Sequence, residues 1–370
     1  LGRMRFFFDA RYIRPHGHDG ISRYSAGLAT AIAELADVTF LVHDPEQLAV
    51  LPDGVEHLFL HAPTSAKEPF TARILNAYEP DVVFSPMQTM GTIGRRFRLI
   101  LTLHDTIYYR HRTPPAEFSP LVRLGWRLFH LSYVPQRVTL NAADVVATVS
   151  ETSRDEFARV RLTKRPVVVI PNAPDDLGAF LDAEADAAAT PSHLVYMGSF
   201  MGYKNVETLI AAMAHLPDKT LQLLSRIGPA RRAELEALVP PGARVEFAGG
   251  VSDAEYARAL ADGSVLVSAS LDEGFGLPLA EALGIGVPVA ASDLPIFREV
   301  AGPGAEYFDP HDPGSVARAV RRLDDPAHRA EVIAAGRAHV ARYSWRRSAE
   351  TLLDVASSLV DHPGSRRAAR

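Results

Sequence analysis

Ser264-Val-Leu-Val-Ser-Ala-Ser-Leu-Asp-Glu-Gly-Phe-Gly-Leu-Pro-Leu-Ala-Glu281 spells out a strand, a turn and the start of a helix. Ser264–Ser268 is a short apolar run of strand length. Gly274 and Gly276 permit positive-φ backbone and close approach of a ligand. Pro278 suits the first turn of a helix, where its missing N–H costs nothing. Glu273 therefore stands just before a helix N-terminus, and Glu281 projects from the second turn.

The same unit recurs along the chain. Arg5–Phe8, Val38–Val42, Val82–Phe84, Leu99–Leu103, Val145–Val149 and Val167–Ile170 read as buried strands. Leu194–Met197, Leu221–Leu224, Val245–Phe247, Val265–Val267 and Val287–Ala290 repeat the theme later. Helical patterns separate them, notably Ile21–Leu35, Val206–Leu216, Ala254–Ala261 and Leu277–Leu283. Continuous apolar strands alternating with amphipathic helices argue for parallel sheets covered on both faces. The expected fold is α/β, with two doubly wound Rossmann-like domains facing a cleft. The first spans 4–180 and the second 190–343. The boundary lies in the Ala-rich, acidic stretch Leu181–Ser192, equally readable as a linker or a short helix. The amphipathic segment 344–361 is expected to pack back on the first domain, and 362–370 to form a flexible tail.

Size and charge narrow the function. The chain has 370 residues, 47% of them hydrophobic and 22% charged, ordinary values for a globular protein. It has no cysteine, which excludes disulfides, thiolate metal sites and cysteine nucleophiles. Residues 1–182 carry 20 Lys/Arg and 20 Asp/Glu, and the remainder carries 19 against 24, giving the net charge of −5. A duplex-binding protein would show a basic footprint, so nucleic acid is not expected as a partner. No apolar run approaches the roughly 20 residues that span a bilayer. The opening Phe6-Phe-Phe8 is too short for a signal peptide. It reads as a first strand, with Leu1–Arg3 before Met4 readable either as an upstream extension or as a cloning remnant. The expected location is cytoplasmic, with a possible place at the inner face of the cell membrane.

Four segments carry candidate chemistry. At Glu273–Glu281, free N–H groups at the helix start suit a phosphate. The two carboxylates can accept hydrogen bonds from sugar hydroxyls. Helix-end electrostatics alone would also explain an acid at Glu273. In Tyr196-Met-Gly-Ser-Phe-Met-Gly-Tyr-Lys204, a strand ends at Gly198, a turn follows, and Lys204 opens the next helix. A lysine there can neutralise a leaving diphosphate. In Arg14-Pro-His-Gly-His-Asp-Gly20, a glycine at a helix start lets backbone N–H groups approach an anion. An ordinary loop with exposed His16 and His18 is the alternative. In Leu101-Thr-Leu-His-Asp105, His104 stands at a strand end, where cleft residues sit in doubly wound sheets. It can bond a hydroxyl or move a proton near neutral pH. Ser150, at another strand-to-helix junction, reads as a helix N-cap.

From Phe247-Ala-Gly-Gly-Val-Ser-Asp253 through Asp309-Pro-His-Asp312, the chain resembles the donor half of the family 4 glycosyltransferases, which have the two-domain GT-B fold. The marks are Glu273 and Glu281 with seven residues between them, then Gly284-Ile-Gly-Val-Pro-Val-Ala290 and Leu294–Gly302. The resemblance covers nearly the whole chain, most strongly 194–312. It implies that Glu273 contacts the donor hexose and Glu281 the ribose. Backbone at Phe275, Gly276 and Leu277 would meet the sugar or phosphate, and Gly250 would also belong to the donor site. Gly198 and Lys204 match the family's Gly-x-x-x-x-x-Lys, making Lys204 the diphosphate lysine. The family often adds a second basic residue, where this chain has Ser199 and Tyr203. Arg226, after the next strand, is the candidate substitute. Gly20 resembles the family's glycine loop between donor and acceptor, and His104 its donor-sugar histidine.

The resemblance thus implies a retaining transfer of a hexosyl group, mannosyl-like, from a nucleotide diphosphate sugar to an acceptor hydroxyl. The donor would be a GDP- or UDP-sugar, and the acceptor a glycan or a lipid-linked glycan. A front-face displacement is the implied mechanism. A non-catalytic sugar or nucleotide binder and a sugar-nucleotide epimerase are the alternatives. No metal is expected: no Asp-x-Asp stands at a strand end, and Asp175-Asp176 and Asp324-Asp325 read as solvated loop pairs. Arg95, Arg96, Arg98, Arg110, Arg112, Arg123, Arg127 and Arg137 lie among aromatics. They could meet a lipid-linked acceptor or an anionic membrane surface, or simply be solvated.

Overall fold

A computed structural model describes residues 4–16, 20–114, 119–181 and 190–361. His18, most of the Leu181–Ser192 stretch, the 362–370 tail and Leu1–Arg3 lie outside the described residues. The chain forms two compact units, one of residues up to Ala173 and from Tyr343 onward, the other Pro174–Arg342.

In the first unit, β1 (Phe6–Asp9), β2 (Val38–Val42), β3 (Glu56–Phe59), β4 (Val82–Ser85), β5 (Arg98–Thr102), β6 (Val145–Thr148) and β7 (Val167–Val169) form one sheet. Their order is β3-β2-β1-β4-β5-β6-β7. In the second, β8 (His193–Tyr196), β9 (Thr220–Leu223), β10 (Arg244–Phe247), β11 (Ser264–Ser268), β12 (Val289–Ser292) and β13 (Ala305–Phe308) follow the order β10-β9-β8-β11-β12-β13. Every pairing is parallel. Both units thus have the doubly wound order, whose direction reverses beside the first strand. That reversal opens a crevice at the carboxyl ends of β1 and β4, and again at those of β8 and β11.

The central strands are buried on both faces because their side chains are apolar on both. Phe6, Phe7, Phe8 and Asp9 are all buried, as are Val82–Ser85. The Phe8 ring lies 5.6 Å from Phe40 and 5.1 Å from Phe84. Each such side chain removed from water contributes about 2–3 kcal/mol. Tyr196, Ile210, Leu221, Leu223, Val265 and Val267 form the corresponding core of the second unit.

Two strands escape the sequence reading, β3 and β13. β3 is an edge strand with Glu56 and His57 exposed. β13 carries Glu306, which bonds His328 at 2.6 Å and also holds Arg322. Neither presents the continuous apolar run that marks a buried strand. The helix expected over Val206–Leu216 is shorter, ending at Ala212 and followed by a 3-10 turn at Met213–His215.

The final helix, Trp345–Asp361, packs in the first unit against the helix Gly20–Leu35. A Cβ on Gly27 would lie 2.3 Å from the Trp345 ring, so the indole occupies the space a side chain would need. Ser348 Oγ donates to the Pro171 carbonyl at 2.8 Å. Among the described residues, no helix is long and apolar enough to cross a membrane.

Candidate active site

The crevice of the second unit is built by the loops that leave β8 and β11. Beyond β8, Gly198 donates its N–H to Ser225 Oγ at 3.0 Å. A Cβ there would lie 2.8 Å from the Tyr196 hydroxyl, so a side chain would have to displace that buried phenol. That hydroxyl donates to the Ser199 carbonyl at 2.6 Å. Burial, with the Glu273 carboxylate adding to it, pushes the Tyr196 phenol well up, so it stays a donor.

Lys204 does not open a helix. It closes a 3-10 turn, Gly202–Lys204, and Asn205 follows in left-handed conformation at φ 51°. The reason is tertiary: the Asn205 amide donates to the carbonyls of Ala269, at 3.0 Å, and Pro310, at 2.8 Å. Leu271 N–H also donates to the Tyr203 carbonyl at 2.7 Å. The β8 loop is thereby clasped to the β11 loop. The clasp brings Lys204 Nζ to 2.5 Å from Glu273 Oε1, with the two side chains 16% and 14% exposed. Ser270 Oγ donates to the same oxygen at 2.9 Å, and the Tyr203 ring centroid lies 5.4 Å from Nζ. Among the described residues no hydrogen bond falls on Glu273 Oε2.

Gly276 has φ 96°, and a Cβ there would lie 2.8 Å from the Phe297 ring. It forms the left-handed N-cap of the helix Leu277–Gly284, with no side-chain cap. Backbone N–H groups at this end are therefore left to other partners. Phe275 is buried, whereas Leu277 is partly open. Glu281 is 2% exposed, so its carboxylate lies inside the unit and not on its surface. One loop and helix thus carry Glu273, Phe275, Gly276, Leu277 and Glu281.

Arg226, after β9, and Gly250, after β10, form a second pair. The Arg226 side chain lies over Gly250, whose φ is 112° and whose Cβ would come within 2.5 Å of Arg226 Cγ. The Arg226 residue is exposed.

His104 and Gly20 belong to the first unit. His104 Nε2 lies 2.9 Å from the Pro86 carbonyl, which fixes Nε2 as a donor, and its ring meets Tyr24 edge-on at 4.9 Å. Asp105 caps the following turn, accepting from Ile107 N–H at 2.9 Å. Ser150 caps its helix, accepting from Ser153 N–H at 3.0 Å. Gly20 begins its helix with nothing within 4 Å of a would-be Cβ, so packing within the chain does not require glycine there.

Sequence reasoning missed a buried ionic network at the carboxyl end of β1. Arg11 Nε donates to Asp9 Oδ1 at 2.8 Å, and its two terminal nitrogens bond Glu68 at 2.8 and 3.1 Å. Ser85, at the end of β4, donates to Asp9 at 3.2 Å. Burial opposes the charge on Arg11, but the two carboxylates outweigh it and move its pKa up. Glu68 also accepts from Gly91 N–H at 3.3 Å, and a Cβ on Gly91 would fall 1.7 Å from the Glu68 carbonyl oxygen. The network pins the loop beyond β4, which carries Pro86, the partner of His104. Asp9 followed by Arg11 at a strand end was the one available signal, and nothing in the sequence pointed to Glu68.

The arginines among aromatics divide. Arg95 and Arg98 hold Asp144 at 2.6 and 3.2 Å, Arg110 holds Glu156, and Arg137 donates to the Val160 carbonyl at 2.7 Å. Those four serve the fold. Among the described residues, no group of three or more His, Asp or Glu is placed to hold a metal ion.

Two family descriptions match the chain, "Glycosyltransferase Family 4" over residues 18–176 and "Glycosyl transferases group 1" over 191–325. O-antigen chain mannosyltransferase B of Escherichia coli is 29% identical over 266 residues, 67% of each chain. O-antigen chain mannosyltransferase RfbU of Salmonella typhimurium is 28% identical over 347 residues, 88% of this chain and 92% of its own. The Anabaena HepE structure in complex with UDP and glucose aligns with a TM-score of 0.69 at 18% identity, covering 96% of this chain and 100% of its own.

Proposed function

Because the chain belongs to the family 4 glycosyltransferases and catalyses glycosyl transfer, we propose that its second unit holds the nucleotide-sugar donor at the crevice between β8 and β11. In this reading Lys204 meets the diphosphate, Glu273 a hydroxyl of the hexose and Glu281 the ribose. The helix start at Phe275–Leu277 supplies backbone N–H groups to phosphate or sugar. Gly198, Ser199 and Gly250 let the ligand approach the backbone, and Arg226 supplies the second cation. His104 and Gly20 act from the first unit, on the donor sugar and at the phosphate or acceptor.

The observation that carries the reading is the Lys204–Glu273 pair. A half-buried lysine is held where a developing phosphate charge can recruit it. The carboxylate that holds it keeps Oε2 for a hydroxyl donor. Charge prepositioned at a leaving group is worth about 100- to 1000-fold in rate.

The reaction we propose retains the anomeric configuration. The bond from the anomeric carbon to the diphosphate oxygen breaks, and the acceptor oxygen bonds to the same face of that carbon. The acceptor's proton passes to the departing phosphate oxygen. The names of the relatives, O-antigen chain mannosyltransferases, favour a mannosyl group and a growing glycan chain as acceptor; we read the donor as a GDP- or UDP-sugar and the acceptor as a glycan or lipid-linked glycan. A cytoplasmic site of action fits a nucleotide-sugar substrate.

The test is transfer from GDP- and UDP-hexoses in Lys204→Ala and Glu273→Ala. Both should lose at least 100-fold in kcat/KM while still melting cooperatively. Unchanged turnover in both would sink the assignment. Tight binding without turnover would favour a binder, and interconversion of free sugar nucleotides an epimerase. Melting shifts with UDP, GDP, ADP and dTDP would identify the base, since a ligand at 100 times its Kd stabilises by about 2.7 kcal/mol.

A further inference from the structure

Arg11 reaches both carboxylates of the network at the carboxyl end of β1, and every N–H of its guanidinium is taken. Nε donates to Asp9 Oδ1 at 2.8 Å. One terminal nitrogen donates to Glu68 Oε2 at 2.8 Å and to the His61 carbonyl at 3.1 Å. The other donates to Asp9 Oδ2 at 3.0 Å and to Glu68 Oε1 at 3.1 Å. The Arg11 and Asp9 side chains are fully buried. Stability alone does not call for such an arrangement, since apolar side chains of similar volume often serve as well or better. Geometry does call for it: a planar fork that grips two carboxylates fixes each relative to the other.

Those carboxylates hold the two ends of one segment, Ser85–Gly91. At its start, Ser85 Oγ donates to Asp9 Oδ2 at 3.2 Å. At its far end, Gly91 N–H donates to Glu68 Oε1 at 3.3 Å. Between them, Thr89 Oγ1 meets the hydroxyl of Tyr12, the neighbour of Arg11, at 2.5 Å. The segment carries the Pro86 carbonyl, which accepts from His104 Nε2 at 2.9 Å. A path therefore runs from Arg11 through Asp9, Ser85 and Pro86 to His104, each step a hydrogen bond or a peptide bond. We infer that Arg11 is a positioning residue for glycosyl transfer, which sets the Ser85–Gly91 segment through Asp9 and Glu68 and, through the Pro86 carbonyl, the direction and tautomer of His104. The inference rests on the reading that His104 meets the donor sugar.

Arg11→Ala would strand two buried carboxylates and is expected to unfold the first unit. Arg11→Lys instead keeps the charge but puts a point where the fork was. Arg11→Met with Asp9→Asn and Glu68→Gln removes the charges together; the carboxamides still accept from Ser85 and Gly91 but are no longer tied to each other. Both variants should melt cooperatively and bind a bare nucleoside diphosphate as the wild type does, because that ligand meets the second unit. Their kcat for transfer should fall about 10- to 100-fold, the cost of a misplaced group at the reacting centre. In a His104→Ala background neither should lower turnover further, since the residue through which Arg11 acts is gone. Nitrogen-15 spectra of labelled histidines, with His104 assigned by its loss in His104→Ala, should show an Nε2-protonated ring in the wild type and mixed tautomers in both variants. Wild-type kcat in both variants, an unmoved His104 signal, or losses that simply multiply with that of His104→Ala would overturn the inference. Full turnover in His104→Ala would overturn the reading of His104 and the inference with it. A crippled His104→Ala beside a fully active Arg11→Lys would overturn the inference alone.

Discussion

Glu273 has two oxygens with different duties. Oε1 receives both Lys204 and Ser270, at 2.5 and 2.9 Å. Glu273→Gln keeps the shape and the Ser270 contact but releases the lysine from its counter-charge. A bare nucleoside diphosphate should then bind as tightly or several-fold more tightly, because the carboxylate no longer competes for Nζ. Turnover of the sugar nucleotide should fall at least 10-fold, because the hydroxyl loses a charged acceptor. Calorimetry with the diphosphate and initial rates with the donor read these separately. Parallel loss of both would show that Glu273 only braces the loop. The spacing of Glu273 and Glu281 was legible in the sequence as a glycine turn with two acids. That Glu281 is buried and that Lys204 reaches Glu273 was not, because the first depends on how the helix packs and the second on Asn205 fastening one loop to another across 64 residues.

At the scale of the element, the decisive piece is the turn from β11 into Leu277–Gly284. Its left-handed cap at Gly276 faces the fully buried ring of Phe297. Gly276→Ala adds both a backbone conformation that alanine resists and a methyl group against that ring. The expected cost is about 2–4 kcal/mol. Donor affinity should fall alongside the melting temperature, since in the proposed site the same turn orients the helix start that meets the donor. A variant that melts like the wild type would show that the turn tolerates a side chain. The buried strands were readable as elements because double burial demands apolar runs, which composition alone reveals. The edge strands β3 and β13 were not, because solvent or an ion pair replaces apolar neighbours on one side.

At the scale of the whole molecule, the chain leaves its first unit at Ala173 and rejoins it at Tyr343. The last helix therefore completes a unit begun more than 300 residues earlier. Gly27 and Trp345 are its contact point. Gly27→Leu should expel the indole, at a cost of about 1–3 kcal/mol. Trp345 fluorescence should shift to the red, and the first unit should melt earlier. An unshifted spectrum would mean that the helix docks without the indole. The alternation of strands and helices, the doubly wound class and the glycine turns followed from local sequence, because backbone freedom and apolar periodicity act over a few residues. The Arg11 network and the Lys204–Glu273 clasp did not. Each is a choice of partner among distant side chains, and only the packed chain brings those partners within the few ångströms over which hydrogen bonds and apolar contacts act.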